Sequence, residues 1–278
     1  MKYILKMLFF CFIFSASHAS AQKPYYVIEG SVKEEPSFFK VFNTVMCLLN
    51  QYERNEINGF EVGYKSNGIY CDAAKGPNWW EYYFAPLKVT HEKPIQAERI
   101  PNYKKTVLSH IALYEVSLDV RHSLIKKYIH ILPEWQEKID SFARGQFGDA
   151  FIIGIDYFSH RLDFIDPKVS LVALVSITKD LIQQLPDNKE SKILVSTNDT
   201  FLVSHLKDEF GDKVICPHLF VKNDVPTDQI EYSILVCFLM TKVQVLLDCG
   251  ASLSLVARQF NPSLRVIRLD KHWVEKDE

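Results

Sequence analysis

The second half of this 278-residue chain alternates short, largely apolar runs with amphipathic stretches, and that alternation limits its fold more than any other feature. The apolar runs fall at residues 150–155, 192–196, 214–215, 243–247 and 264–269. Helical periodicity occupies 170–185, 201–210, 230–239 and 252–260 between them. A strand that is apolar on both its alternating faces has no side for solvent and needs cover above and below. Strands of that kind, separated by helices, build a parallel sheet with helices on both faces. The half therefore reads as a Rossmann-like lobe. No internal repeat or low-complexity segment interrupts it.

The first half is less regular. Residues 25–28 form a short β-rich run, and Pro36 and Ser37 open a helix that carries Phe38, Phe39, Phe42, Val45, Met46 and Leu49 at near-helical spacing. A second short strand is predicted at 60–64. Residues 70–87 read as a loop, with Gly76-Pro77 as a breaker and the aromatic cluster Trp79, Trp80, Tyr82, Tyr83 and Phe84. From 118 the pattern returns to helix, with Val120, Leu124, Tyr128 and Ile131 at steps of three and four. Pro133 breaks it, and Trp135, Ile139 and Phe142 continue on a second helix up to Gly145.

The amino terminus predicts export. Lys2 and Lys6 precede an apolar run at 7–14 that is too short to span a bilayer, and Ala19-Ser20-Ala21 offers small residues where a signal peptidase reads them. Cleavage is expected before Gln22, giving a periplasmic or secreted chain, or a lumenal one in a eukaryote. An uncleaved anchor is the alternative. Elsewhere the nearest approach to a spanning segment is 230–247, which Glu231, Thr241, Lys242 and Gln244 interrupt, so it reads as a buried helix followed by a buried strand. Residues 1–21 are thus assigned to the signal, 22–140 to an N-terminal lobe and 141–278 to the C-terminal Rossmann-like lobe.

A formal net charge of −2, more acidic still once Lys2 and Lys6 are removed, gives no general attraction for nucleic acid or an anionic membrane. Hydrophobic residues at 47% are enough for a packed core and argue against disorder. Cys47, Cys71, Cys216, Cys237 and Cys249 show no paired spacing of a zinc site. Cys47, Cys237 and Cys249 sit in apolar runs as buried thiols. Cys71 and Cys216 lie beside loops, where an oxidising compartment would permit one disulfide.

Two strand-to-helix junctions carry candidate chemistry. Residues 192–200 read K-I-L-V-S-T-N-D-T, a buried strand ending in Asn198 and Asp199 just before a helix. In open α/β sheets ligands bind beyond the carboxyl ends of strands, so Asp199 could meet a base, a ribose or a sugar hydroxyl. It could equally be a helix cap. Asn198-Asp199-Thr200 also fits a glycosylation sequon, relevant only in a eukaryotic secretory pathway. At the second junction Asp248-Cys249-Gly250-Ala251-Ser252 runs straight from strand to helix. Small residues there let backbone N–H groups approach an anion such as a nucleotide diphosphate. The alternative is a tight turn that needs Gly250 only for its dihedral freedom.

These segments together resemble a known family. Gly76-Pro77-Asn78-Trp79-Trp80-Glu81-Tyr82-Tyr83-Phe84 is similar to the N-W-W-E-Y-Y-F segment of bacterial glycosyltransferases related to the nodulation and alpha-1,6-fucosyltransferases. Phe38-Phe39-Lys40-Val41-Phe42-Asn43 resembles the family's first helix, and 150–161, 192–199 and 243–257 fall in the order of its three donor-lobe motifs. The resemblance implies an α/β fold of GT-B type, two Rossmann-like lobes with a donor cleft between them. It implies an inverting, metal-independent transfer of fucose or a related hexose from a GDP-sugar to a glycan or protein acceptor, with no cofactor beyond that substrate.

Without a metal, fixed cationic side chains and N–H groups must stabilise the departing diphosphate. The family does this with a basic motif of the form G-x-H-x-R-x-T-D, whereas this chain has Gly154-Ile155-Asp156-Tyr157-Phe158-Ser159-His160-Arg161. In direct register Asp156 replaces the histidine and Phe158 the arginine. His160, Arg161 and Asp163 lie just downstream, and a shifted loop would let Arg161 reach phosphates bidentately. They are the candidate catalytic residues. Asn198, Asp199, Gly250, Ala251, Ser252 and Ser254 are the donor-binding candidates, and Trp79 and Trp80 the acceptor-side ones, expected at the surface of an aromatic cluster that otherwise packs. The third motif departs too, with Val243-Gln244 where relatives often carry an acid. A catalytically impaired relative that binds a glycan, a nucleotide or a partner is the alternative function.

Overall fold

The computed structural model describes residues 23–29, 38–64, 70–92, 96–101, 116–157, 167–217, 226–249 and 252–269. They form two sheets. The first holds β1 (Tyr25–Glu29), β2 (Gly59–Val62), β3 (Lys88–Thr90) and β4 (Glu98–Pro101) in the order β3-β2-β1-β4. In it β1 runs parallel to β2 and β4, and β3 is antiparallel to β2. The second holds β5 (Phe151–Asp156), β6 (Ser191–Ser196), β7 (Val214–Ile215), β8 (Val245–Asp248) and β9 (Arg265–Arg268), all parallel, in the order β7-β6-β5-β8-β9. That is the doubly wound order, with β6 and β7 laid to one side of β5 and β8 and β9 to the other.

Seven α-helices connect the described strands: α1 (Phe38–Glu53), α2 (Leu118–Tyr128), α3 (Pro133–Gln146), α4 (Pro167–Gln183), α5 (Thr200–Phe210), α6 (Pro226–Met240) and α7 (Ser252–Phe260). Their ends follow local chemistry. α1 stops where Asn55 takes a left-handed φ of 58°, with the Asn55 N–H donating to Tyr52 O and the Glu56 N–H to Gln51 O, a terminal turn that asparagine tolerates. The Ser117 Oγ caps α2 by accepting from the Val120 N–H at 3.3 Å. Pro133, expected as a break, sits at the first turn of α3, where its missing N–H removes no helical bond. Among the described residues no helix is long and apolar enough to cross a membrane.

Alternation along the second sheet separates two packing faces. Ile153, Ile155, Ile193, Val195, Val245 and Leu247 pack with Leu174 and Leu181 of α4 and Leu202 and Leu206 of α5. On the other face Ile152, Leu194 and Leu246 join α6 and α7 in a core that also contains Ile28, Phe60 and Val62 of the first sheet. Gly154 on β5 permits this face to close, since a Cβ there would lie 2.7 Å from Met240 Sδ of α6 and 3.0 Å from Leu246 Cδ1. The two halves therefore share a continuous core. Aromatic rings link them: Phe42 and Phe260 lie 5.3 Å apart, Phe84 and Phe238 6.2 Å, and Phe238 and Phe260 4.6 Å.

Three expectations are corrected. Trp79 and Trp80, predicted at the surface, have no exposed area. Trp79 packs on Tyr64 at 4.7 Å, Trp80 stacks on Phe84 at 4.5 Å, and the Trp80 Nε1–H donates to Ala85 O at 3.3 Å. Asn78 locks that segment down by donating to Val62 O at 2.9 Å. Burying an indole removes more apolar area from water than any other side chain would there, and this outweighs the exposure expected of a loop. Cys71 and Cys216 do not form a disulfide, and Cys71 Sγ instead lies 3.1 Å from Pro77 O. Finally β3 and β4 stand in stretches where no strand is predicted. Both are edge strands with exposed polar residues such as Lys88, Thr90, Glu98 and Arg99, so neither carries the apolar pattern of a covered strand.

Candidate functional site

The strand order of the second sheet reverses between β5 and β8, and β5 ends in Asp156 while β8 ends in Asp248. In doubly wound sheets this reversal opens a crevice at the carboxyl ends of the strands. The register makes Asp156 the partner of Ser196 on β6 and of Asp248 on β8, and Asp248 the partner of Arg268 on β9. Partners in a parallel ladder point to the same face. Ser196, Asp156, Asp248 and Arg268 thus form one polar row across the top of the sheet, on the face that carries α6 and α7.

Three members of the row are buried: Asp156 is 0% exposed, Ser196 1% and Asp248 6%. The Asp156 Oδ2 accepts from the Ser254 N–H in the first turn of α7 at 3.1 Å, which ties the end of β5 to that helix. Its carbonyl accepts from the Cys249 N–H at 3.1 Å, extending the ladder past β8. Arg268 Nε lies 3.7 Å from Asp248 Oδ2, an ion pair with an exposed cation and a buried anion. The nearby thiols respond to this negative charge. Burial, then Asp156 and Asp248, pushes the Cys249 thiol up, and burial followed by Asp156 does the same for Cys237. The phenol of Tyr232 is raised chiefly by burial, with Cys216 and Asp156 adding to the shift. All three stay protonated near neutrality and serve here as packing groups, not nucleophiles.

The sequence candidates fall in different places. Asp199 is the N-cap of α5, its Oδ1 accepting from the N–H groups of Phe201 at 2.9 Å and Leu202 at 3.2 Å. Asn198 beside it is exposed. Ser252 opens α7, and Ser254 is buried with its N–H on Asp156. His160, Arg161, Asp163, Gly250 and Ala251 lie outside the described residues. The row formed by Ser196, Asp156 and Asp248 was not anticipated as a unit. One signal was legible, because the runs F-I-I-G-I-D and V-L-L-D each end an apolar strand in an aspartate. Among the described residues no group of three or more histidine, cysteine or acidic side chains comes together to hold a metal.

No family model matches the sequence, and no curated protein does so either. Solved structures match in fold. The crystal structure of NodZ alpha-1,6-fucosyltransferase soaked with GDP-fucose superposes with a TM-score of 0.57 over 90% of this chain and 96% of that one, at 14% identity. Fucosyltransferase NodZ from Bradyrhizobium gives 0.54 over 85% and 93%, at 12% identity. A mutant of Arabidopsis thaliana FUT1 in complex with GDP gives 0.56 over 90% of this chain and 72% of that one, at 10% identity. The chain has a fucosyltransferase-like GT-B fold.

Proposed function

We propose that the chain is a glycosyltransferase that takes fucose or a related hexose from a GDP-sugar and passes it, with inversion and without a metal, to a glycan or protein acceptor. The observation that carries this reading is the placement of polar strand ends at the reversal between β5 and β8, in an architecture shared over nine-tenths of the chain with a protein whose crystal was soaked with GDP-fucose. A fold alone does not specify an activity, so the proposal rests on that crevice together with the fold. Arg161 is proposed to meet the leaving diphosphate, with His160 and Asp163 beside it. Asn198 and the turn at Gly250, Ala251 and Ser252 are proposed to border the donor. We further propose that the chain is exported, with Gln22 as the mature amino terminus.

Incubating the purified chain with GDP-fucose and a panel of glycan acceptors, and measuring GDP release, tests the proposal. Turnover that disappears in Arg161→Ala, at an unchanged melting temperature, is the expected result. Turnover that survives in the variant would remove Arg161 from the mechanism.

A second reading has an observation in its favour. The described floor of the crevice holds two buried carboxylates and a single arginine, a poor environment for stabilising a diphosphate leaving group. A relative that binds without transferring would show GDP or glycan binding by calorimetry but no GDP release from GDP-fucose.

A further inference from the structure

Gln259 lies in the last turn of α7 and is 0% exposed, yet among the described residues neither Nε2 nor Oε1 of its amide has a hydrogen-bond partner. α7 packs against α1, α2 and α6, so the amide lies where the second half meets the first. The Gln259 carbonyl oxygen is 3.0 Å from His122 Nδ1 of α2, and the ring of Phe260, the next residue, is 5.3 Å from that of Phe42 on α1. Asn43, which follows Phe42, carries a second buried oxygen without a partner. It stands one turn before Cys47, whose thiol burial raises and Arg121 of α2 partly lowers, so this face of α1 looks toward the start of α2.

We propose that the seam between α1, α2 and α7 binds internal water, held by the Gln259 amide. An amide shut away from solvent without a partner loses the hydrogen bonds it had in the unfolded chain, and native folds leave few polar groups in that condition. The chemistry of the amide selects the occupant. Nε2 offers two donors and Oε1 two lone pairs. A cation would satisfy only the oxygen and an anion only the nitrogen, whereas water both gives and takes hydrogen bonds. The rings of Phe42 and Phe260 supply neither. Buried waters characteristically bond to polar groups that the chain itself leaves unpaired, and Asn43 Oδ1 adds a second acceptor to the same seam. The site is independent of the crevice and of any transfer reaction.

Gln259→Met keeps the length of the side chain and removes both hydrogen-bonding atoms. Magnetic relaxation dispersion of water oxygen, measured on the full chain and on this variant, counts internal waters that stay bound longer than the molecule takes to tumble. The parent should hold at least one such water more than the variant. Equal numbers in the two proteins would overturn the proposal. If the variant lacks the far-ultraviolet circular dichroism of the parent, a crystal structure of the parent decides. Ordered water within about 3.2 Å of Gln259 Nε2 or Oε1 is then the expected result. An amide bonded to protein groups alone, or to nothing, would overturn it.

Discussion

Replacing Phe238 by alanine should destabilise both halves of the molecule together. Phe238 lies on α6, is 4% exposed, and sits 4.6 Å from the ring of Phe260 and 6.2 Å from that of Phe84. Phe84 in turn stacks on Trp80 and Phe38, and Phe260 meets Phe42 on α1. The substitution removes the ring at which the aromatic cluster of the first half joins the helices of the second. Truncating a fully packed phenylalanine costs about 3–5 kcal/mol, the spread reflecting how far the surroundings collapse into the space left. Here the neighbours are rings held from several elements, so little collapse is expected and about 4 kcal/mol is appropriate. Against a total of about 5–15 kcal/mol this is a large fraction, and in a chain of this size it lowers the melting temperature by roughly 8–16 °C. Two probes follow the two halves in urea. Tryptophan emission reports mainly on Trp79, Trp80 and Trp135 of the first half, and amide hydrogen exchange in β5 and β6 reports on the second. A shared core requires both transitions to move to lower urea by the same free energy. A tryptophan transition that stays in place while β5 and β6 lose protection would refute the argument. Val172→Ala, at a side chain 70% exposed, is the control and should change stability by less than about 0.5 kcal/mol.

Two further outcomes follow from local chemistry. Asp199→Ala removes the acceptor of two N–H groups at the start of α5 and should cost about 0.5–2 kcal/mol in chemical denaturation, with Asp199→Ser recovering most of it. A serine variant as unstable as the alanine one would count against the capping role. Stability should also fall in alkali. Burial raises the Cys47 thiol from 9.0 to about 11, and Cys237 and Cys249 shift in the same direction. A raised acid keeps its proton in the folded chain after the unfolded chain has lost it. The contribution is therefore complete below about pH 9 and disappears as the pH rises through the folded value. Melting temperatures between pH 7 and 11 read this directly. A flat profile, or one matched by a chain with Cys47, Cys237 and Cys249 replaced by alanine, would contradict it.

Much of the second half was legible because its signals are local. Five apolar runs and four helical stretches became five strands and four helices, with ends displaced by a few residues. The strand expected to start at Val243 begins at Val245, because the Gln244 side chain turns back to accept the Ile152 N–H at 2.6 Å. Legibility was lower in the first half. β3 and β4 are short, polar edge strands, so their hydrogen bonds and not their side chains define them. The indoles of Trp79 and Trp80 illustrate the opposite failure. An aromatic run in a loop is consistent with a ligand platform or with packing, and only the neighbours Tyr64, Phe84 and Phe38 decide between the two.

By itself, the order of residues determined that the second half would be a covered parallel sheet, that Asp199 stood ready to cap a helix, and that aspartates would end two apolar strands. Each follows from periodicity or from chemistry within one turn of chain. Only the tertiary structure decided that β8 lies beside β5, that Asp156, Ser196 and Asp248 stand in one row, and that both halves pack into a single core. Periodicity records how many faces of an element are buried, and it is silent about which element buries them. Strand order and register are settled by hydrogen bonds between segments far apart in the chain, and those bonds set Asp156 beside both Ser196 and Asp248.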